Sequence, residues 1–508
     1  MRLFTLIVAI LLGTTLTHAQ YVPQAPKREY RAVWLTTIKG LDWPKEEIVG
    51  PAREAEQKAA LCAILDSLQA IRINTVLLQT RVRGDVIYPS ALEPFAPVFT
   101  GKHGVAPNYD PLAFAIEECH RRGMQLHAWL VAIPLGETAY VKSHGSRSLP
   151  ATKPAQCTRF HGAWYMEPSH SGTAQHLSAL VEEIVTRYDV DGIHLDYIRY
   201  PEENSSYPDA THYSRDRRGM SKAAWRRSHI THIMTTVYAK VKSLKPWVCV
   251  SAATLGKYAD TSRYSSYGWN AYHTVHQDAK EWMRTGIVDA IFPMLYYTGK
   301  HFYPFVSDWH EGSYGRHVIA GMGTYQLHKR ERDWPLEELT RQLHVARAHS
   351  ISGAAQFRSQ FVTDNVKGIH DYLRHFYSTP ALVPAMPWLS DTPPAMPQGF
   401  TAENTHEATI LRWQRAEGVQ YNIYSSNAYP VDTTDPANLI VTYSTDTIYT
   451  EHNPSLALRR HYAITAIDHY GIESQPLQWE NVVPKFKRFN MIQNPLLDLY
   501  PDSLKPNN

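Results

Sequence analysis

An alternation of strand-like and helix-like segments between residues 29 and 376 is the feature that most constrains the fold of this chain. Apolar runs rich in Val, Leu and Ile recur eight times, as expected for parallel strands that are buried on both faces. The predicted strands lie at 31–38, 74–81, 125–133, 190–198, 248–255, 288–297, 317–325 and 351–360. Helical spacing of apolar residues predicts helices at 54–71, 111–122, 173–188, 222–244, 276–285, 336–350 and 365–376.

The number and order of these segments predict how the sheet closes. Eight strands separated by helices over roughly 350 residues fit an α/β fold of the TIM type, a (β/α)8 barrel with long loops, for residues 28–378. An open doubly wound sheet is the rival fold, but no Gly-rich phosphate loop follows the first predicted strand. The active site of such a barrel lies at the C-terminal ends of its strands, so catalytic residues are expected there.

The pattern changes after the barrel. Residues 379–397 are rich in Pro and predict a linker or a loop along the surface. Residues 398–485 then predict an all-β sandwich whose short alternating strands lie at 408–413, 421–425, 439–443, 448–450 and 461–468. The first, second and last of these strands resemble strands of fibronectin type III domains, with Trp413 as the buried Trp. Residues 486–508 are predicted to form a C-terminal tail.

The first residues have the pattern of a secretory signal peptide. Arg2 is followed by an apolar run at 3–12 and then by small and polar residues up to Ala19. The run is shorter than the roughly 20 residues that a membrane-spanning helix needs, which favours cleavage after Ala19 over a membrane anchor. We therefore expect residues 1–19 to be removed, the mature chain to have no membrane span, and the protein to be periplasmic or secreted.

Charge, cysteine and histidine content narrow the classes of function. The formal net charge of +3, without a long Lys/Arg run, argues against nucleic acid as a partner. Buried free thiols are expected for Cys62, Cys119, Cys157 and Cys249. A disulfide between Cys62 and Cys119 stays open. The 26 histidines include no His-x-Glu-x-x-His-like helix motif, so no metal and no other cofactor is predicted.

The segment at 190–201 carries the sharpest catalytic signal. Its apolar strand ends in Asp196, which is flanked by Tyr197 and followed by Arg199. Alternation along the strand turns His194 and Asp196 into the barrel, with Asp196 nearer the open mouth. A carboxylate there suits a nucleophile or a general base, and a salt bridge to Arg199 is the structural alternative.

The end of the second strand adds a cluster of polar residues. Gln79, Arg81 and Asp85 are predicted to lie on the same rim as Asp196. A buried Arg needs an acidic partner, so Arg81 or its neighbour Arg83 is expected to hold a carboxylate in its ionised form. That carboxylate is Asp85 or Asp196, and Asp85 itself is either catalytic or structural.

The remaining strand ends complete a polar and aromatic mouth. Asp42 and Trp43 follow the first strand and are expected to face the cleft, Asp42 as an acid or substrate contact and Trp43 as a stacking ring. Glu137, Tyr297, Arg358 and Gln360 also lie at or after strand ends. The predicted substrate contacts are Trp43, Gln79, Arg81, His127, Trp129, His194, Tyr197, Tyr296, Tyr325 and Gln356. Carboxylates, amides, Arg and rings together suit a polysaccharide substrate.

The barrel resembles the glycosyl-hydrolase-10-like bacterial family. The matching segments, in chain order, are 30–37, 41–44, 79–89, 110–112, 126–129, 191–197, 278–282 and 288–289. The resemblance implies a hydrolase of β-linked glycans, and peptidoglycan strands stripped of their peptides are one substrate type in that family. Members often carry Pro-Gln at the end of the sixth strand and a double Asp after the His of the fourth. Here these positions hold Pro293-Met294 and Asp196-Tyr197.

The acid partner of Asp196 is left open by the sequence. A glycosidase needs two carboxyl groups, and the candidates, in order of preference, are Asp85, Asp42 and Asp260, with Glu137 also considered. A non-catalytic glycan-binding barrel protein of the cell envelope is the main alternative and would lack a second carboxylate near Asp196. A metal-dependent hydrolase or deacetylase is a weaker alternative, because no metal-binding helix motif is present.

Overall fold

Eight parallel strands close into a barrel in the computed structural model, which describes residues 25–261, 266–349, 351–405, 407–452 and 460–481. The predicted signal peptide and C-terminal tail lie outside the described residues. The barrel strands are β1 (Tyr30–Leu35), β2 (Thr75–Arg81), β3 (Gln125–Val131), β7 (Gly192–Asp196), β8 (Cys249–Leu255), β9 (Ala290–Met294), β10 (His317–Met322) and β11 (Gly353–Gln356). The predicted TIM-type barrel is confirmed.

Closure of the barrel rests on pairing between its first and last strands. In the parallel register, Tyr30 of β1 lies opposite Gly353 of β11. A Cβ atom on Gly353 would stand 2.1 Å from the carbonyl oxygen of Tyr30, and the φ angle of Gly353 is +147°. This close approach therefore requires glycine, because any larger residue would push the two strands apart.

Helices and loops surround the barrel. In the described part of the chain the helices α1 to α12 are Glu54–Ala70, Pro111–His120, Thr138–Ser143, Leu149–Thr152, Ser171–Arg187, Ala210–Asp216, Lys222–Leu244, Ala279–Thr285, Tyr303–Glu311, Leu336–Ala348, Ser359–Thr363 and Ile369–Phe376. Capping residues set the ends of two of these helices. Asp110 accepts hydrogen bonds from the first backbone N–H groups of α2, and Gly286 ends α8 in the left-handed conformation. None of these helices has the length and apolar character needed to span a membrane.

The loop after β3 contains a small sheet that the sequence analysis did not predict. It consists of β4 (Pro134–Glu137), β5 (Cys157–Phe160) and β6 (Ala163–Met166), paired antiparallel in the order β4-β6-β5. His161 and Gly162 form the turn between β5 and β6 with φ angles of 45° and 80°. A two-residue X-Gly turn between short alternating runs is the sequence signal that could have revealed this hairpin.

Two antiparallel sheets follow the barrel, as the predicted all-β sandwich requires. Their strands are β12 (Thr401–Asn404), β13 (Thr409–Arg412), β14 (Val419–Ser426), β15 (Leu439–Ser444), β16 (Ile448–Glu451), β17 (His461–Asp468) and β18 (Leu477–Trp479). One sheet has the order β12-β13-β16 and the other β15-β14-β17-β18. Trp413 is buried and packs on Tyr421. The likeness to fibronectin type III domains stays a prediction.

The segment predicted as a linker packs between the barrel and the sandwich. The backbone of Leu382 forms a β-bridge with Arg28, and its side chain lies in the sandwich core with Tyr424 and Tyr443. The next residue, Val383, packs instead among residues of the barrel. Two adjacent side chains therefore join the two cores, in contrast to a flexible linker.

The sandwich lies at the N-terminal end of the barrel strands. The Trp247 ring, which precedes β8, stacks on His469 at a centroid distance of 5.2 Å. Glu473 of the sandwich forms ion pairs with Lys27 at 2.6 Å and with Arg28 at 3.2 Å, just before β1. These contacts place the described residues of the sandwich at the end of the barrel opposite the C-terminal ends of its strands.

Removal of the Leu382 side chain tests this joint. We expect Leu382→Ala to lower the free energy of unfolding by about 2–5 kcal/mol, because the side chain is fully buried and its loss leaves a cavity. Urea unfolding followed by circular dichroism measures the effect. The matched control is Leu244→Ala at an exposed helix end, where a change within about 0.5 kcal/mol is expected. Equal effects of the two substitutions would contradict this role of Leu382.

Candidate active site

A cleft of about 650 Å³ opens at the C-terminal end of the barrel. Its floor is formed by the ends of strands β3 and β7, and its walls come from the loops after β1 and β2, the small sheet β4-β6-β5 and the loop after β7. This is the position at which barrel enzymes carry their active sites.

Asp196 lies on the floor of the cleft, at the last position of β7. One carboxylate oxygen accepts a hydrogen bond from the indole N–H of Trp129 at 3.2 Å, and the other accepts one from the backbone N–H of Tyr197 at 2.7 Å. Burial raises the pKa of Asp196 above its ordinary value, and the nearby Arg199 charge offsets part of that shift. The site therefore holds a carboxyl group in a mostly dry setting, where proton transfer or nucleophilic attack is favoured.

Arg199 supplies hydrogen-bond donors to the same cleft. Its guanidinium is buried, forms an ion pair with Glu202 at 2.8 Å and lies 4.5 Å from the centre of the Tyr197 ring. Within the described residues, its Nε and Nη1 groups have no hydrogen-bond partner, and neither does the hydroxyl of Tyr296. Buried donors are rarely left unpaired, so these groups are unsatisfied polar atoms within residues that line the cleft.

Aromatic rings form one wall of the cleft. Trp164 and Tyr165 are half-buried on β6, and Tyr197, which also lines the cleft, is 40% exposed. Tyr197 adopts a positive φ of 50°, the left-handed conformation, immediately after Asp196. Trp164 and Tyr165 were missed in the sequence because the hairpin that carries them was not predicted.

Glu137 is a second carboxylate in this cleft. It is the last residue of β4 and is exposed. Within the described residues, its carboxylate forms no hydrogen bond or ion pair, whereas Glu202, which also lines the cleft, is held by Arg199. Glu137 is therefore a cleft carboxylate that no side chain of the described residues holds in place.

Five of the predicted site residues meet at the cleft: Gln79, Trp129, Asp196, Tyr197 and Tyr296. The side-chain oxygen of Gln79 accepts hydrogen bonds from the backbone N–H groups of Thr37 and Ile38, at 3.1 and 2.9 Å. Gln79 thus fixes the loop after β1 in addition to lining the cleft. The functions of these residues stay predictions.

Asp42 and Trp43 do not face the cleft as expected. Asp42 is buried, accepts two hydrogen bonds from Thr36 at 2.8 Å, and pairs with Arg358, which does line the cleft. Trp43 is fully buried, and its indole N–H donates to the carbonyl of Gln57 at 2.7 Å. The loop after β1 folds back over the core, so these side chains support the rim from below.

Arg81 has a different partner from the two that were expected. It is fully buried and forms two hydrogen bonds with Glu93, at 2.7 and 2.8 Å, instead of pairing with Asp85 or Asp196. Glu93 also contacts His176 at 2.9 Å. Burial favours the neutral acid, but the pairing with Arg81 and the His176 hydrogen bond outweigh it and lower the pKa of Glu93 to about 2.

Asp85 is also buried and lies outside the residues that line the cleft. It accepts hydrogen bonds from the hydroxyl of Tyr140 at 2.5 Å and from the backbone N–H of Arg83 at 3.2 Å. Burial raises the pKa of Asp85 to about 6, although the Tyr140 hydrogen bond acts in the opposite direction. Asp260, the third acid candidate, accepts a hydrogen bond from Ser266 at 3.1 Å and also lies outside the cleft.

His127, His194 and Gln356 are fully buried and do not line the cleft. The indole N–H of Trp34 donates a hydrogen bond to Nε2 of His194 at 3.2 Å, and Nδ1 of His194 shares a hydrogen bond with the Ser251 hydroxyl at 2.9 Å. Burial lowers the pKa of both His127 and His194. Gln356 accepts a hydrogen bond from Thr324 at 2.7 Å. These polar side chains complete the barrel interior beneath the site.

Tyr325 occupies a supporting position beside the cleft. It is half-buried and does not line the cleft, but its ring packs against Tyr296 and Phe357 at centroid distances of 5.6 and 5.7 Å. Both partner rings do line the cleft, so Tyr325 backs them from the outer side.

The chain is similar to known glycosyl hydrolases along most of its length. The family model described as "Glycosyl hydrolase-like 10" matches residues 29–311. The "Glycosyl hydrolase YngK" of Bacillus subtilis (strain 168) is 28% identical over 502 residues, which cover 89% of this chain and 97% of that protein. The "Glycosyl hydrolase DigH" of Escherichia coli (strain K12) is 29% identical over 374 residues, which cover 67% of this chain and 85% of that protein.

The chain is also similar to solved structures of glycoside hydrolases, at lower sequence identity than to YngK and DigH. The glycoside hydrolase domain of PgaB (BpsB) from Bordetella bronchiseptica has 14% identity and a TM-score of 0.47, and the match covers 69% of this chain and 99% of that chain. The alpha-L-fucosidase isoenzyme 2 from Paenibacillus thiaminolyticus has 15% identity and a TM-score of 0.45, and the match covers 69% of this chain and 49% of that chain.

The Arg81–Glu93 pair predicts how stability depends on pH. The folded pKa of Glu93, about 2, lies below the ordinary value of 4.5, so the pair stabilises the fold above pH 4.5 and this stabilisation is lost as pH falls toward 2. We expect Glu93→Gln to lower the free energy of unfolding at pH 7 by about 3–5 kcal/mol and to reduce the slope between pH 4.5 and 2.

Denaturant unfolding at a series of pH values measures both effects. Glu182→Gln is the matched control, because Glu182 pairs with Lys240 on the surface at 3.0 Å and such pairs contribute at most about 1 kcal/mol. A Glu93→Gln variant that is as stable as Glu182→Gln would show that the buried pair is not a main support of this rim.

Proposed function

Because the chain belongs to the glycosyl hydrolase-like 10 family, we propose that it hydrolyses glycosidic bonds of a cell-envelope or extracellular polysaccharide, with Asp196 as nucleophile or general base. The observation that carries the proposal is the position of Asp196, which is buried on the floor of a cleft that also holds aromatic rings, unpaired donors and a second carboxylate. Sugar-cleaving sites combine these groups because each one serves a separate part of the reaction.

The reaction requires two carboxyl groups with different tasks. In the proposed mechanism Glu137 donates its proton to the oxygen of the leaving sugar as the glycosidic bond breaks. As a nucleophile, Asp196 attacks the anomeric carbon and forms a glycosyl ester. The Glu137 carboxylate then takes a proton from a water molecule whose oxygen displaces Asp196, which releases the sugar and returns both residues to their starting forms. As a general base, Asp196 instead takes a proton from the water that attacks the anomeric carbon and later gives that proton to solvent, while the Glu137 carboxylate takes up a proton from solvent. This assignment replaces Asp85 and Asp42 as first choices for the acid, since neither side chain lines the cleft.

Binding of the substrate is assigned to the walls of the cleft. The N–H groups of Arg199 and the hydroxyl of Tyr296 have no protein partner within the described residues, so sugar oxygens would satisfy them without breaking an existing bond. Trp164, Tyr165 and Tyr197 offer ring faces on which the apolar face of a sugar can stack. These contacts fix the sugar ring while the two carboxyl groups act on its linkage.

Peptide-free peptidoglycan strands are the substrate that we propose first. The support is the family resemblance, whose members include hydrolases of such β-linked strands. A periplasmic or secreted location, as expected from the signal-peptide pattern in residues 1–19, would bring the enzyme to this polymer.

A glycan-binding protein without catalysis is the alternative. Such a protein would keep rings and donors but would not need two carboxyl groups near each other. The presence of Glu137 and Glu202 in the same cleft as Asp196 favours hydrolysis over binding alone.

Sugar release from peptide-free peptidoglycan strands tests the two catalytic assignments. We expect Asp196→Asn and Glu137→Gln each to lower the rate at least about 100-fold relative to wild type, because amides cannot exchange the required proton. Glu203→Gln is the matched control, since Glu203 is exposed next to Glu202 and does not line the cleft. Circular dichroism and thermal unfolding establish that all variants fold.

The possible results separate the hypotheses. Loss of release in the two cleft variants but not in Glu203→Gln supports the proposed pair. Undiminished release by Asp196→Asn removes this residue from the mechanism. Binding of the strands by wild type without any release would favour the non-catalytic alternative.

The pH dependence of activity tests whether the charge of Arg199 lowers the pKa of Asp196. Burial raises the pKa of Asp196 above 3.8 while Arg199 lowers it, and the residue acts in its ionised form. The acid limb of kcat/KM in wild type is therefore expected above pH 3.8, and Arg199→Gln is expected to move it to higher pH. Arg218→Gln, a substitution of an exposed Arg, serves as the control. An unmoved or lowered acid limb in Arg199→Gln would contradict the relation.

A further inference from the structure

Three metal-ligating side chains meet beside the cleft. Asp85 follows β2, His103 lies in the long loop before α2, and His144 directly follows α3, so three separate segments contribute to one cluster. One possible ligand atom from each residue lies within 4.8 Å of the others. The side chains of Asp85 and His144 are 0% and 2% exposed, whereas His103 is half-buried.

The contact between Asp85 and His144 has the spacing of two ligands of one ion. Nε2 of His144 lies 3.5 Å from Oδ2 of Asp85 and has no hydrogen-bond partner within the described residues. A hydrogen bond between these atoms would be roughly 2.7–3.2 Å long. Two atoms that bind the same tetrahedral Zn²⁺ at about 2.0–2.1 Å stand roughly 3.4 Å apart, which is close to the observed separation.

The third residue is in reach of the same point. Nδ1 of His103 lies 3.2 Å from Nδ1 of His144, and the hydroxyl of Ser143 contacts Nε2 of His103 at 2.9 Å. A ring nitrogen of His103 thus lies within 4.8 Å of the possible ligand atoms of both Asp85 and His144. The Tyr140 hydroxyl, at 2.5 Å from the same Asp85 oxygen, lies beside this space.

We propose that Asp85, His103 and His144 form a binding site for a divalent transition-metal ion, with Zn²⁺ as the best match. Two imidazole nitrogens and one carboxylate oxygen are a ligand set that Zn²⁺ accepts, and water or Tyr140 can complete a tetrahedral site. Hard cations such as Mg²⁺ and Ca²⁺ prefer sites made of oxygen alone. None of the three ligands lines the cleft that holds Asp196, so the ion takes no part in the proposed hydrolysis.

The site would act as a clip between the barrel and one wall of the cleft. Helix α3 begins immediately after Glu137, and His144 follows the last residue of this helix. Asp85 belongs to the loop that continues from barrel strand β2. An ion bound to both would hold α3, and with it the end of β4, against the barrel. Metal binding is therefore expected to stabilise the fold whether or not the protein is a hydrolase.

The experiment uses the full-length purified protein after treatment with chelator and dialysis. Isothermal titration with ZnCl₂ measures affinity and stoichiometry, and thermal unfolding with and without ZnCl₂ measures stabilisation. We expect one Zn²⁺ per chain, a higher Tm with the ion, and an affinity at least about 10-fold lower for His103→Ala. His103 is chosen because its side chain is half-buried, so its removal is compatible with folding.

The matched control is His375→Ala, which removes an exposed histidine from α12 and should leave Zn²⁺ binding unchanged. Visible absorption of bound Co²⁺ gives a second readout, since a four-coordinate site has intense bands that should be absent in His103→Ala. Failure of wild type to bind Zn²⁺, or equal binding by His103→Ala and wild type, would overturn the proposal. Neither result depends on sugar release, so this test and that of the proposed hydrolysis fail independently.

Discussion

Pairing between β1 and β11 is the constraint on which the rest of the structure depends. It converts an open parallel sheet into a barrel, and only closure brings strand ends that are far apart in the sequence to one mouth. The close backbone contact between Tyr30 and Gly353 shows how little space this pairing allows. The depth of the cleft and the burial of Asp196 both follow from a ring of strands filled by side chains such as Trp34 and Phe292.

The charged groups around the mouth divide into two sets. Arg81 is held by Glu93, and Asp42 is held by Arg358, so these charges fix loops against the barrel. Asp196 and Glu137 form no ion pair within the described residues. Paired charges therefore surround two cleft carboxyl groups that no cationic side chain in the described part of the chain holds in an ion pair. This division explains why burial and charge alone do not identify a catalytic residue, since the most buried ion pair here is structural.

Much of the fold could be predicted from the sequence because apolar runs report burial directly. All eight barrel strands were located, and Asp196 was identified because a carboxylate that ends such a run must lie at the mouth. Contacts made by folding back of loops were not predictable. Trp43 follows β1 like a rim residue, yet its loop turns it into the core, and Arg81 finds its partner in Glu93 across an intervening loop. The wall that carries Trp164 depends on a hairpin inside a long loop, and the Asp85, His103 and His144 cluster joins segments with no common motif.

The place of the sandwich at the N-terminal end of the barrel has a consequence for how the two domains are coupled. Leu382 and Val383 fasten the two cores together at the N-terminal ends of the strands, while the cleft opens at the other end. None of the described residues of the sandwich lines the cleft, so a substitution in the sandwich can reach the cleft only through the strands and loops of the barrel.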